Sequence, residues 1–520
     1  MGDSLDVSAT TLGQVPAHQR HRILSGMRWS VWLSALAVPF SVGTNLLLAR
    51  VGAETVGVYG LLSVYIGLIT AFIYFGGNTV VIRFIPECKR EDRAAFLGSY
   101  LLVIFAALSF WLVFAHLFPA CLRLVLGRAD RFGFIILCLA PIPIVFSMIF
   151  AFLKGMLEIR TSQTLLKLLT IISFLMYAAI FIVARPLLLS EPTEVVWSIY
   201  LGLMAMLATI GAVRVVRLCG RPQLRFYLPQ GFWRYAFATQ WVGMVYFLIS
   251  RLDYVLILNL GGLGVLGRYV AIMSVAATVL MVSDFFMDTL LPSLTNMIAA
   301  RNHAGAAEVF MMHMRILFFV TTAASCAVMV AAAPVTAVMG GKYRSIQGLI
   351  ILMAMFWGIA SPGAIGGTLL ASVGRQQLAI WAGLLHVVVF TCLFFATWSR
   401  WQLTGAVVSY GFAVLLSNTA LMTIALKTSR IYPSIAGLWL KAAGVEAAVG
   451  IIALRWLPPG LTSGIVTWLA AMALFLLLSQ YRASECKAFA QTFLPGTTLQ
   501  PVSGTERPAS EPVTPGIVCS

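Results

Sequence analysis

Residues Val56 to Thr79 read VGVYGLLSVYIGLITAFIYFGGNT, twenty-four positions without one charged side chain. A helix needs about 20 apolar residues to cross the hydrocarbon core of a bilayer, so the first twenty of these read as a membrane span. Five more runs of this kind precede the most basic loop: Trp29 to Leu48, Ala94 to Phe118, Phe132 to Phe152, Thr164 to Val183 and Val195 to Val213. Eight follow it: Tyr235 to Leu258, Leu266 to Phe286, Ile316 to Val335, Leu349 to Ala371, Leu378 to Thr397, Leu403 to Leu426, Ile435 to Leu457 and Leu461 to Leu478. None alternates apolar and polar residues as a barrel strand would, and backbone in lipid must be hydrogen-bonded internally. The expected fold is an all-α polytopic membrane protein of about fourteen transmembrane helices.

Composition says the same. Of 520 residues, 60% are hydrophobic and 10% charged, against roughly 45–50% and about 25% in soluble domains. That excludes a soluble enzyme held by a single anchor. The eight cysteines stand singly with no CxxC spacing, so neither a zinc site nor a disulfide framework is readable, and no cofactor motif stands in a fitting context. Gly262, Gly264 and Gly267 form GxGxxG with Asp284 further on. They fall at a hairpin between spans, without the βαβ unit that a dinucleotide site requires, and suit a tight turn and close helix contact instead.

Lys and Arg set the orientation. With the N-terminus inside, 23 fall on the inner side and 10 on the outer, leaving Arg251 and Lys441 within spans. Both termini are therefore expected in the cytoplasm, in a multi-pass protein of the cytoplasmic (inner) membrane. This bias and anionic lipid headgroups explain the net charge of +17, so no nucleic acid is called for. The expected organisation is a cytoplasmic tail (1–28), a six-helix lobe (29–222), a second six-helix lobe (223–430), two further helices (431–482), and a Pro/Ser/Thr-rich cytoplasmic tail (483–520) expected to be disordered.

The opening stretch can be laid without a gap on Leu266 to Thr289, LGRYVAIMSVAATVLMVSDFFMDT, at a shift of 210. Gly57 meets Gly267, Tyr59 meets Tyr269, Phe75 meets Phe285, Thr79 meets Thr289, and Asn78 meets Asp288. The same shift carries the second span onto the eighth. Each half holds an even number of spans, so both insert with the same topology, which is a transporter plan with the substrate between the lobes.

Several segments resemble the polysaccharide-type flippases of the multidrug/oligosaccharidyl-lipid/polysaccharide exporter superfamily: LLLARVGAETVGVYG (Leu46 to Gly60), RLDYVLILNLGGLGVLGRYV (Arg251 to Val270), LLPSLTNMIAAR (Leu290 to Arg301), APVTAVMGGKYRSIQGLIIL (Ala333 to Leu352) and LLASVGRQQ (Leu369 to Gln377). Each lies at the span junction where that family places it. The resemblance implies a V-shaped twelve-helix core with two extra helices, moving polyprenyl-diphosphate-linked glycans between leaflets. It also implies membrane lipids and polysaccharide-assembly proteins as partners. The Pro/Ser/Thr-rich tail is longer than the family pattern.

Ionisable residues at membrane depth are costly and functional by default. Arg251 lies sixteen residues into span seven, roughly 24 Å from its inner end, where it either grips a diphosphate or acidic sugar through bidentate hydrogen bonds or serves as a structural or snorkelling cation. Asp253, two residues on, points elsewhere on the helix; it reads as a structural partner of Arg268 or as a proton or cation carrier. Asp284 and Asp288 share one helix face at the inner end of span eight, as a cation or proton site or a solvated helix end. Asn45, the rough first-half counterpart of Asp253, and Asn78 are candidates for sugar contacts or interhelical bonds. Arg83 on a basic inner segment suits headgroups or a first diphosphate contact. Glu446 sits at the centre of span thirteen, with Lys441 about 140° round the helix, and is a candidate for ion coupling, substrate contact or a partner on another span.

No catalytic or metal-ligating set is apparent. The expected function is translocation of a polyprenyl-diphosphate-linked oligosaccharide by alternating access for cell-surface polysaccharide biosynthesis, driven by a proton or sodium gradient. The alternatives are an ion-coupled multidrug exporter of the same superfamily and a membrane glycosyltransferase or polymerase. The last would require a sizeable outer catalytic loop, which this chain lacks.

Overall fold

Where lipid offers the backbone no hydrogen bonds, a chain must supply its own, and this one does so with helices. The computed structural model describes residues 17–74, 76–89, 91–117, 139–223, 225–281, 290, 294, 303–431, 435–455 and 461–479; among them there is no strand. In chain order the helices are α1 (Ala17–Val51), α2 (Ala53–Phe72), α3 (Gly77–Glu87), α4 (Arg93–Leu117), α5 (Pro141–Gly155), α6 (Ile159–Val183), α7 (Arg185–Ser190) and α8 (Pro192–Cys219) in the first half. Then come α9 (Phe232–Ala276), α10 (His303–Met339), α11 (Gln347–Ser372), α12 (Ala379–Ser429), α13 (Ala436–Arg455) and α14 (Leu461–Ser479).

Two of these helices are broken pairs. In α9, Gly262 takes φ +76 and ψ 179, and in α12, Gln402 takes φ 41 and ψ −118, so each holds two spans joined by a sharp turn. Only glycine adopts the first conformation without strain, which gives the glycine-rich hairpin its structural use. Ten described stretches are long and apolar enough to cross a membrane; counting both pairs and the shorter apolar segments Leu36–Val51 and Pro141–Gly155 gives fourteen spans. The expected fourteen are thus present in order. The second span is continuous as α2, and Gly76 and Gly77, at φ +74 and +63, separate it from the short helix α3 that follows. Pro141 is the first residue of α5, preceded by a helical Leu139 and a turn at Ala140. Bulky apolar side chains such as Phe105, Phe110, Val183 and Leu477 are exposed, as a lipid-facing surface requires.

A constant shift of 210 organises the architecture. Gly52 separates α1 from α2, and Gly262 separates the two spans of α9. Likewise α8 begins at Pro192 and α12 turns at Gln402. Contacts across the seam are reciprocal. A methyl built on Gly57 would fall on the carbonyl oxygen of Leu263, and one on Gly267 would fall on that of Ala53, its equivalent in the other half. Gly60 packs on Val270, the residue 210 further on. A local two-fold therefore passes between Gly57 and Gly267. Without a hydrophobic force between helices in lipid, small residues that bring backbones together carry such an interface.

Candidate functional site

The break at Gly262 folds span eight back beside span seven, setting Tyr269 against Asp253. The Tyr269 hydroxyl donates to Asp253 Oδ2 at 2.8 Å, and both residues are buried. Asp253 Oδ1 has no hydrogen-bond partner. The expected structural pairing with Arg268 does not form. Arg268 instead lies near Tyr343, because the turn brings position 269, one residue on, level with the carboxylate.

Around this pair the second half gathers aromatic groups. Tyr254 and Tyr269 meet edge to face at 5.7 Å, Tyr410 of α12 lies near enough to feel Asp253, Tyr254 and Arg251, and the buried His386 meets Tyr410 edge to face at 5.2 Å. Nε2 of His386 has no hydrogen-bond partner.

Arg251 and Asp253 stand two apart on the helix and do not face each other. Its guanidinium lies over the Tyr254 ring at 5.3 Å, and Nη1 donates to the Ser250 carbonyl at 3.0 Å. Its stem passes Gly67 of α2, where a methyl would come within 3.5 Å of Arg251 Cγ. The cation thus sits on the seam between the halves, about 16 Å from the Gly262 turn at the rise of a helix. Across that seam Tyr59 stands between Tyr177 at 6.4 Å and Tyr200 at 6.2 Å, both edge to face.

The other expected site residues are dispersed. Asn45 is buried; its Nδ2 donates to the Ser41 carbonyl at 3.1 Å while Oδ1 has no partner. Counting from Gly52 and Gly262, the residue matching Asp253 is Gly43 rather than Asn45, since both stand nine positions before the turn. Asn78 and Arg83 are exposed on α3 at the opposite end of the seam, where the Arg83 guanidinium lies over Tyr235 at 4.5 Å. Glu446 stands apart, buried where α13 meets α10 and α11. Asp284 and Asp288 lie outside the described residues.

Sequence reasoning did not single out Tyr269 as a carboxylate partner, nor Tyr410, His386 or Gln240. Two signals were present: His386 lies within an apolar span, and Tyr410 stands 210 positions beyond Tyr200. Gln240 bridges the junction between α2 and α3. Its Nε2 donates to the Ala71 carbonyl at 2.5 Å and its Oε1 accepts from the Gly76 amide at 3.0 Å, replacing the hydrogen bonds that the break removes.

No protein-family model matches the chain, and no curated protein matches it in sequence. Solved structures do match. The lipid II flippase MurJ in an inward closed conformation superposes with a TM-score of 0.67 at 11% identity, over 89% of this chain and 99% of the flippase. The chain has the fold of this flippase. An inward-facing multidrug resistance MATE family transporter of the MOP superfamily gives 0.62 at 12% identity, over 78% of this chain and 98% of its own. The MATE multidrug transporter DinF-BH gives 0.54 at 16%, over 80% and 96%.

Proposed function

We propose that this protein is a transporter that flips a polyprenyl-diphosphate-linked oligosaccharide across the cytoplasmic membrane by alternating access of its two halves, with Arg251 as the anchor for the diphosphate. The observation that carries this reading is the placement of Arg251 on the seam, stacked on Tyr254 and bonded to a carbonyl rather than a carboxylate. An arginine held this way keeps most of its donor fork for an anionic ligand. The shared fold supports the reading further. The flippase structure accounts for about nine-tenths of this chain, whereas the MATE structures use nearly all their own length and leave about a fifth of this chain unmatched.

Asp253, with one free oxygen and a tyrosine hydroxyl on the other, is the residue we assign to the coupling proton or sodium ion. In this reading the Gly262 end faces outward, as the excess of Lys and Arg at the other end favours. The same acidic, aromatic cluster would also suit a cationic drug, and transport assays distinguish the two. In proteoliposomes, the intact protein moves a fluorescent diphosphate-linked glycan between leaflets, Arg251→Ala abolishes this movement, and Arg251→Lys retains part of it. Export of cationic dyes unaffected by Arg251→Ala, with no movement of any glycan tried, overturns the flippase reading in favour of drug export.

A further inference from the structure

Helices α13 and α14 lie outside the repeat and must be fastened to it. Indole and hydroxyl groups do much of this. Trp439 Nε1 donates to the Ile359 carbonyl at 2.6 Å, and Trp468 Nε1 donates to the Ala323 carbonyl at 2.9 Å. Between these lies Glu446, with no exposed surface. Its carboxyl group rests against the bare Cα of Gly358 on α11, in space a methyl would occupy. Among the described residues no cation lies within ion-pair distance of it.

The oxygens around it determine where hydrogens must be. Ser325 Oγ lies 2.9 Å from the Ala354 carbonyl oxygen and 3.2 Å from Glu446 Oε2. A carbonyl only accepts, so the shorter contact requires the single hydrogen of the Ser325 hydroxyl. Nothing then remains on Ser325 to donate to Glu446. An ionised carboxylate would face it lone pair to lone pair, whereas a carboxylic acid donates to it and completes a chain from Glu446 through Ser325 to Ala354. One turn earlier, Thr322 lies near the carboxyl but makes no hydrogen bond, and Glu446 Oε1 is equally unpartnered. That hydroxyl is the donor at hand for the acid's carbonyl oxygen.

We propose that Glu446 is a proton-binding site separate from the Asp253 cluster, and that its protonated form fastens α13 to α10 and α11. The surroundings leave little else to titrate. Cys326 on α10 lies near enough to feel Glu446; α11 and α14 carry no ionisable side chain at all, and Lys441 on α13 itself stands five residues before Glu446, about 140° round the helix. Losing the proton would remove the donated bond and leave a buried, unpaired charge. The attachment of α13 and α14 is therefore sensitive to protonation. The proposal stands whichever substrate the halves carry.

The test uses the full-length protein in lipid nanodiscs. Infrared difference spectra between the intact protein and Glu446→Gln at neutral pH are expected to show the carbonyl stretch of a protonated carboxyl, lost in the variant. The amide, which can donate to Ser325 as the acid does, is expected to keep the melting temperature and to flatten its fall as pH rises. Should Glu446→Gln not fold, Ser325→Ala is expected to retain the protonated-carboxyl band and shift its frequency, since the acceptor is gone. Absence of that band from the intact protein at neutral pH overturns the proposal. So does an unshifted band in Ser325→Ala, or a Glu446→Gln protein that melts lower with the pH slope of the intact one.

Discussion

In the first half, Tyr59 is enclosed by Tyr177 and Tyr200, and Gly43 occupies the position nine residues before the turn. In the second, Tyr269 holds the matching place and gives its hydroxyl to Asp253, nine residues before its own turn, with Tyr410 where the first half has Tyr200. The aromatic frame is repeated and the charge is not. A methyl on Gly43 would come within 2.8 Å of the Phe174 ring, so the first half has filled with aromatic carbon the space that the second gives to a carboxylate. The seam is what the halves share, and the charged cluster is what distinguishes them.

The most damaging way to break this comparison is at the seam. Gly267→Val puts side-chain carbon into the Ala53 carbonyl, and Gly57→Val does the same to Leu263; each should cost at least about 1–3 kcal/mol, the typical penalty of overpacking. Thermal unfolding in detergent is expected to show equal losses for the two, whereas Gly264→Ala, which meets open space, should change little. Next comes the acidic cluster. Asp253→Ala strands the Tyr269 hydroxyl in a buried site, at a cost of about 1–3 kcal/mol, and Asp253→Asn should recover much of that stability while losing the ion dependence of transport. A smaller effect belongs to the first half. Tyr177 donates to the Val196 carbonyl at 2.9 Å, so Tyr177→Phe should cost roughly 1 kcal/mol and leave ion dependence intact. Smallest is Tyr59→Phe: its hydroxyl makes no hydrogen bond with a described residue, and unfolding should move by no more than about 0.5 kcal/mol. A large effect at Tyr59, or a small one at Tyr269→Phe, would remove the distinction drawn between the halves.

Much of this could be read in the chain. The opening stretch and its partner at Leu266 share only four identities, yet the register they suggest extends to Gly52 and Gly262, and to the helix start at Pro192 and the turn at Gln402. Arg251 and Asp253 stood out because charge within an apolar run is conspicuous. What the chain did not reveal was the partner of each. Arg268 was the natural choice for Asp253 by charge; in the folded hairpin its neighbour Tyr269 faces the carboxylate instead. Gln240 and Ser325 are ordinary polar residues in a sequence, and only a helix break or a buried acid on a neighbouring span gives them a task.

The sequence by itself determined that the chain crosses a membrane many times, where its spans fall and that its halves repeat, because apolar length and spacing are local properties written along the chain. Tertiary structure decided which oxygen faces which hydrogen: Tyr269 toward Asp253, Glu446 toward Ser325, Arg251 onto the seam. Those pairings depend on fractions of a helical turn and on the close approach that Gly57, Gly267 and Gly358 permit, and hydrogen bonds weaken within tenths of an ångström of their proper length.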